Sequence, residues 1–405
     1  MSRNRIPLWL LLPVLAVGGL LTFILGLFTY MTVTARPLHP DAGDVPSVIR
    51  SAPLPLWTSA VAQGQQIARA GLLEQNLPGL SVAVGIGGDL VWAEGFGWAD
   101  IEARTRVTPD TRFRIGDASK ALTSVGVGQL LEQNAIDLDA DIHAYVPGFP
   151  DKQWPFTLRQ LMAQTAGITT DEGDEAPMTP CERTADGLRL VEKYPLRFEP
   201  GTDYFASAFG WILVSAAVEA AAGEPFFTFM RKEVFHPAGM TDTRPYLAAE
   251  PGPNETTFYF PRFAGDTRYG PEAVREGDHS CYAGGGAFLS TPSDLVRFGM
   301  ALGSGTLLQP ATVTMLQTPQ RLRSGRETSY GLGWSLETVP LAGDPARMAG
   351  HGTRKDFVGG TTYLMTFPER GMVVAVTTNI SFADTKSMAL AIANLFAGSA
   401  GSAAR

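Results

Sequence analysis

Phe113-Arg114-Ile115-Gly116-Asp117-Ala118-Ser119-Lys120 places a carboxylate three residues ahead of a lysine, at the start of a helical pattern. Residues three apart on a helix share a face, so Asp117 and Lys120 are within reach of each other. Asp117 suits a helix start, where its carboxylate accepts from the first free N–H groups and favours the dipole. Leu122, Val125, Leu130 and Leu131 carry the helix onward. Upstream, residues 81–84 and 90–93 read as strands joined through Gly87-Gly88-Asp89, a short hairpin. Downstream, residues 211–222 read as a helix ended by Gly223. Residues 359–366 and 372–378 read as a second strand pair, and a last helix runs from about Asp384 to Phe396. The pattern is one α/β unit with strands at both ends and a helical region between them.

The 405 residues, 45% hydrophobic and 18% charged, suffice for a sizeable core. A net charge of −8 with no basic patch excludes a nucleic-acid partner. The histidines His39, His143, His236, His279 and His351 lack ligand spacing, so neither a metal nor another cofactor is expected. Residues 6–33 carry no charge, and about 20 apolar residues span a bilayer. Pro13, Gly18 and Gly19 are tolerated in such a helix. Arg3 and Arg5 precede it, which keeps the amino end in the cytoplasm. The competing reading is a cleaved signal peptide ending at Val33-Thr34-Ala35, but a signal's apolar region runs only about 7 to 15 residues. The expected organisation is an anchor over 1–35, a proline-rich tether over 36–55, the main domain over 56–398 and a flexible tail over 399–405. The protein is then single-pass in the cell inner membrane, with the domain in the periplasm or otherwise outside the cytoplasm.

In order along the chain, several phrases resemble the β-lactamase-like serine hydrolase superfamily. It includes class C β-lactamases, penicillin-binding proteins, esterases and a mitochondrial β-lactamase-like branch. Besides 113–120, which resembles the S-x-x-K segment, they include Thr157-Leu158-Arg159-Gln160-Leu161-Met162 with Thr165-Ala166-Gly167, and Phe198-Glu199-Pro200-Gly201. Pro237-Ala238-Gly239-Met240, Ser290-Thr291-Pro292, Tyr330-Gly331-Leu332-Gly333-Trp334 and Pro368-Glu369-Arg370-Gly371 complete the set. The resemblance implies an α/β (α+β) fold: an antiparallel sheet built from both termini, flanked by helices, with an inserted all-helical lobe. It further implies a site between the lobes and ester or amide hydrolysis through an acyl-enzyme.

Three motifs depart from the pattern. Asp117 stands where the hydroxyl nucleophile belongs; against a carbonyl it would form an anhydride, and beside Lys120 it favours the charged ammonium. Ser119 is roughly 100° around the helix from Lys120 and does not face it. In the second motif Ala206 replaces the proton-shuttling phenol and Ala208 the amide, while Tyr204 lies two residues early and reads as a packed aromatic. Gln164 replaces the histidine of the 165–167 phrase. In the third, His351-Gly352-Thr353 carries Thr353 at the usual glycine; His351 either lines the site wall or is a satisfied histidine at a sheet edge. The family's oxyanion hole, made of main-chain N–H groups, survives side-chain changes. Cys181 and Cys281 are the only cysteines, and an exported domain meets an oxidising compartment that favours pairing; the alternative is two separate buried thiols. Cys181 falls in the acidic stretch 171–186, read as a loop over the site. Two functions remain open. One is a membrane-anchored hydrolase of this superfamily with weak or absent turnover. The other is a silent protein that binds peptidoglycan fragments, peptides or a partner protein, or serves structurally. The ligand class is a small ester, amide or peptide-like molecule.

Overall fold

Both ends of the chain contribute to one sheet. The computed structural model describes residues 8–169, 180–181, 183–246, 252–274, 277–354 and 357–403. From the amino-terminal part come β1 (Ser47–Ile49), β2 (Gly79–Ile86) and β3 (Asp89–Asp100). Short strands follow: β4 (Thr105–Arg106), β5 (Phe113–Arg114), β6 (Arg244–Pro245), β7 (Tyr259–Pro261), β8 (Pro271–Ala273) and β9 (Phe288–Ser290). The carboxy-terminal part supplies β10 (Ser335–Leu341), β11 (Asp344–Gly352), β12 (Thr361–Phe367) and β13 (Met372–Thr378). The order β1-β3-β2-β13-β12-β11-β10 is antiparallel throughout. The two ends meet where Val374 lies opposite Val84 and Val376 opposite Val82. Gly87 (φ 62°) and Gly88 (φ 95°) turn β2 into β3; positive φ at both central residues is the type I′ pattern of two-residue hairpins, which glycine allows.

The helices are α1 (Leu8–Thr34), α2 (Thr58–Glu74), α3 (Ser119–Glu132), α4 (Leu158–Met162), α5 (Gly210–Ala222), α6 (Phe226–Phe229), α7 (Pro292–Gly303), α8 (Pro310–Leu316) and α9 (Thr385–Ala403). Val82, Val84, Met365, Phe367, Val374 and Val376 pack with α2 and α9, whose Leu72, Ile392 and Phe396 are fully buried. The alternate residues Ala83, Ala93, Leu364, Val373 and Ala375 join α3, α5 and α7. Such period-two sorting is what a strand covered on both faces requires. The chain between β5 and β9 forms the helical lobe around Trp211, Phe226 and Phe288.

Three expectations are corrected. Residues 36–55 are not a free tether. β1 pairs with β3, Val45 is buried, Asn76 Oδ1 accepts from Leu38 N–H (2.8 Å), and its Nδ2 donates to Arg36 O (3.1 Å). Prolines forbid helix there but not an extended edge strand. The tail does not fray at 399: α9 runs to Ala403, with Ser399 Oγ donating to Leu395 O (3.1 Å). Asp117 is not a helix cap either. It sits in a 3₁₀ turn, Gly116–Ala118, ahead of α3, and its carboxylate is taken up by other groups.

Candidate active site

The turn that carries Asp117 is pressed against the end of β11. A Cβ on Gly116 (φ 48°) would lie 2.5 Å from Thr353 Cγ2, so only glycine permits the approach. Thr353 ties the two elements together: its Oγ1 donates to Ile115 O (2.8 Å) and accepts from Thr362 N–H (3.2 Å). The bulk at this position is thus spent on the fold. Gly352 beside it is also obligatory, because a Cβ there would lie 2.3 Å from the Tyr363 ring.

Asp117 and Lys120 are each 2% exposed. Lys120 Nζ lies 2.6 Å from Asp117 Oδ1, and the backbone N–H of Arg354 donates to Asp117 Oδ2 (3.0 Å). Burial alone would raise the Asp117 carboxyl; the adjacent Lys120 ammonium, with the Arg354 N–H, outweighs it and holds the group below its ordinary value. The main-chain N–H just past the end of β11 is thus taken up by the protein's own carboxylate.

His351 closes the next side. Its Nδ1 lies 3.0 Å from Gly352 O, an acceptor only, so that nitrogen carries the proton and Nε2 accepts from the Tyr330 hydroxyl (2.9 Å). Burial and the Lys120 ammonium push His351 down to about 4, leaving it neutral at physiological pH. Tyr330 is pushed far up, first by burial. The Tyr204 ring lies tilted at 5.8 Å from the Tyr330 ring, and burial together with the Asp117 charge raises its hydroxyl to about 12. Both phenols therefore keep their protons at neutral pH.

The structure thus brings Asp117, Lys120, His351, Thr353 and Tyr204 together. Ala206 is exposed and Ala208 half-buried on the loop that runs past them, and neither carries a side-chain polar group. That loop is pinned by Gln164, which donates from Nε2 to Ser207 O (3.0 Å) and accepts from Ser207 N–H at Oε1 (2.9 Å). Gln164 and Tyr330 are site residues that the motifs quoted without assigning a role; the unusual positive φ of Gln164 (63°) is visible only in three dimensions. Ser119 Oγ is fully buried and has no hydrogen-bond partner, out of a substrate's reach. Cys181 and Cys281 are disulfide-bonded. Of the expected loop over the site, 171–186, residues 171–179 and 182 lie outside the described residues. Among the described residues no group of three or more His, Cys, Asp or Glu could hold a metal.

Known proteins agree with this architecture. Serine beta-lactamase-like protein LACTB, mitochondrial, of Bos taurus is 26% identical over 431 residues, covering 79% of this chain and 76% of that protein. Penicillin-binding protein 4* of Bacillus subtilis (strain 168) is 27% identical over 270 residues, covering 64% of this chain and 59% of that one. The solved structure of D-amino acid amidase from Ochrobactrum anthropi SV3 complexed with L-phenylalanine amide shares the fold. Its TM-score is 0.69 at 22% identity, covering 86% of this chain and all 100% of that one. The family model described as Beta-lactamase matches residues 58–397. The chain belongs to the β-lactamase family.

Proposed function

We propose that this is a membrane-anchored member of the family that no longer forms an acyl-enzyme and serves instead in recognition. The single observation that carries this is the double engagement of Asp117. One carboxylate oxygen faces Lys120, the other accepts from the Arg354 N–H, and both side chains of the ion pair are buried. Acyl transfer needs a free nucleophile, a base able to take its proton and an empty donor pair for the developing oxyanion. Here a carboxylate stands in place of the hydroxyl, could give only an anhydride as its acyl product, pairs with Lys120 and fills the donor. Names of relatives suggest the ligand class: a penicillin-binding protein and an amide-bound amidase point to a peptide-like amide or peptidoglycan fragment.

Anchoring is supported by α1, whose residues 8–34 carry no charge, behind Arg3 and Arg5, which lie outside the described residues. The disulfide suits an oxidising compartment, hence a domain exported beyond an inner membrane. The test is exposure of the purified full chain to a fluorescent penicillin and a short-chain nitrophenyl ester. No covalent label and no burst are expected. A stoichiometric acyl adduct, or a hydrolysis rate that Lys120→Ala abolishes, would restore the hydrolase reading.

A further inference from the structure

Little slack separates α1 from the domain. Ala35 N–H still bonds Met31 O (3.0 Å), and just beyond it Asn76 grips the backbone at Arg36 and Leu38. On the other side Arg262 donates from Nη2 to Thr34 Oγ1 (3.0 Å) and approaches Met31 Sδ (3.6 Å). Phe28 meets Tyr269 edge-on at 6.1 Å, and Tyr269 meets Phe263 at 5.4 Å. The loop between β7 and β8 is thereby clamped to the last two turns of α1. At 1.5 Å per residue the 27 residues of α1 extend about 40 Å, against a hydrocarbon core of about 30 Å. With Arg3 and Arg5 holding the opposite face, roughly 10 Å of helix stands in the outer headgroup layer. That stretch, 28–34, is the part the loop grips.

A groove of about 450 Å³ opens at this junction, lined by Arg36, Arg262, Asp100, Glu102, Thr34 and Tyr259. Arg36 and Glu102 are exposed, and among the described residues no ion pair takes up either side chain. Asp100 is fixed in its charged form by the Thr257 hydroxyl and the Ala103 N–H, which hold its carboxyl below the ordinary range. Two guanidinium groups and two carboxylates at headgroup depth match a ligand with one phosphate and one ammonium. We propose that the groove binds the headgroup of an ethanolamine phospholipid, its phosphate on Arg36 and Arg262 and its ammonium on Asp100 and Glu102. The bound lipid fastens the domain to the bilayer surface and sets the height and tilt of the candidate site above it. The inference rests on α1 being an uncleaved span.

Native mass spectrometry of the full chain released from detergent, with phosphatidylethanolamine and phosphatidylglycerol in equal amounts, tests it. One phosphatidylethanolamine should be retained per chain with a preference of about ten-fold, since the second lipid offers no ammonium. The double variant Arg36→Ala, Glu102→Gln, which removes no ion pair among the described residues, should lose that preference. Retention of neither lipid, equal retention of both, or retention unchanged in the variant overturns the proposal. A nitrobenzoxadiazole label at Leu21→Cys, in bilayers with nitroxide-bearing acyl chains, reports the anchor separately; both natural cysteines are paired and stay unlabelled. Quenching there without lipid retention sinks this inference alone. An unquenched label sinks the anchor reading, and this inference with it.

Discussion

By spacing, Asp117–Lys120 and Asp294–Arg297 are the same arrangement: a carboxylate and a cation three residues apart, paired at 2.6 Å in both. Their carboxyls shift in opposite directions. Burial pushes both carboxyls up, yet Asp117 ends below its ordinary value and Asp294 above it. At 117 the cation is buried with its partner, so water screens the pair little, and the Arg354 N–H adds a donor. At 294 the guanidinium is 29% exposed, and the neighbouring Asp242 carboxylate opposes it; the Thr243 hydroxyl and the Asp242 N–H offset only part of the burial. Spacing makes the pair, but the third neighbour decides what the pair can do.

The largest expected effect is on stability. Asp117→Ala strands a buried lysine and a main-chain donor, which should cost about 3–5 kcal/mol. Asp294→Ala leaves a cation that water can reach, and should cost about 1–3 kcal/mol through its lost hydrogen bonds. Urea melts of the two variants rank them. Asp117→Leu combined with Lys120→Met should recover most of the first loss, because an apolar pair needs no desolvated partner. The reverse ranking would show that screening does not separate the two sites.

Catalytic rescue separates them as well. Asp117→Ser puts a hydroxyl beside Lys120 and vacates the Arg354 N–H, while the unpaired buried ammonium more readily sheds its proton. Slow acylation by a fluorescent penicillin should follow, and Asp294→Ser should give none. Adding Ala206→Tyr to Asp117→Ser should raise turnover by about 10²- to 10⁴-fold, the usual worth of a positioned acid–base group. A rescued rate that survives Lys120→Ala would place the base elsewhere.

How much of this was legible follows from what one residue can say about itself. The Asp117–Lys120 contact and the missing phenol at Ala206 are local, and the i to i+3 spacing announced the first. Strands at both ends were legible too, because Val82, Val84, Val374 and Val376 alternate within apolar runs. The Arg354 donor on Asp117 joins positions 237 residues apart, and no local pattern carries it. The Tyr330–His351 bond was hidden for the same reason. Residues 36–55 misled differently: prolines report which conformations are forbidden, not which surface a segment packs on.

Acid should divide the contributions by sign. His351, lowered to about 4 from an ordinary 6.5, resists protonation in the folded state, so stability is lost as pH falls from about 6.5 toward 4. His351→Gln, which keeps an acceptor for Tyr330, should flatten that limb by on the order of 3 kcal/mol. His279, burial-lowered to about 3, keeps its own limb in the variant. Asp117, being lowered, contributes stability above the ordinary carboxylate pKa of about 3.9 that is lost as pH falls through its folded value. Asp294, being raised, acts oppositely: its folded form binds the proton more tightly, so stability falls as pH rises from about 3.9 through its folded value. Denaturant midpoints across pH 3–7 for Asp117→Asn and Asp294→Asn should change slope in opposite directions; slopes of one sign would mean the two carboxyls shift the same way on folding.

The smallest change is the most discriminating for the third-neighbour argument. Thr243 Oγ1 donates to Asp294 Oδ2 at 2.9 Å and lies 2.7 Å from Ser290 Oγ, buried against the start of α7. Thr243→Val keeps the shape and removes the donor. One hydrogen bond to a charged group is worth about 1.5–3 kcal/mol when made, but Asp294 keeps the Asp242 N–H and Arg297 and can take up a proton instead, so the net loss should be nearer 1 kcal/mol. The Asp294 titration, followed by carboxyl carbon resonances, should move further upward, because the charged form has lost a donor. Asp117, on a different element with different donors, should titrate as before. A Thr243→Val protein in which Asp294 titrates unchanged would mean that burial alone sets its charge state, and the contrast with Asp117 would reduce to which cation is covered.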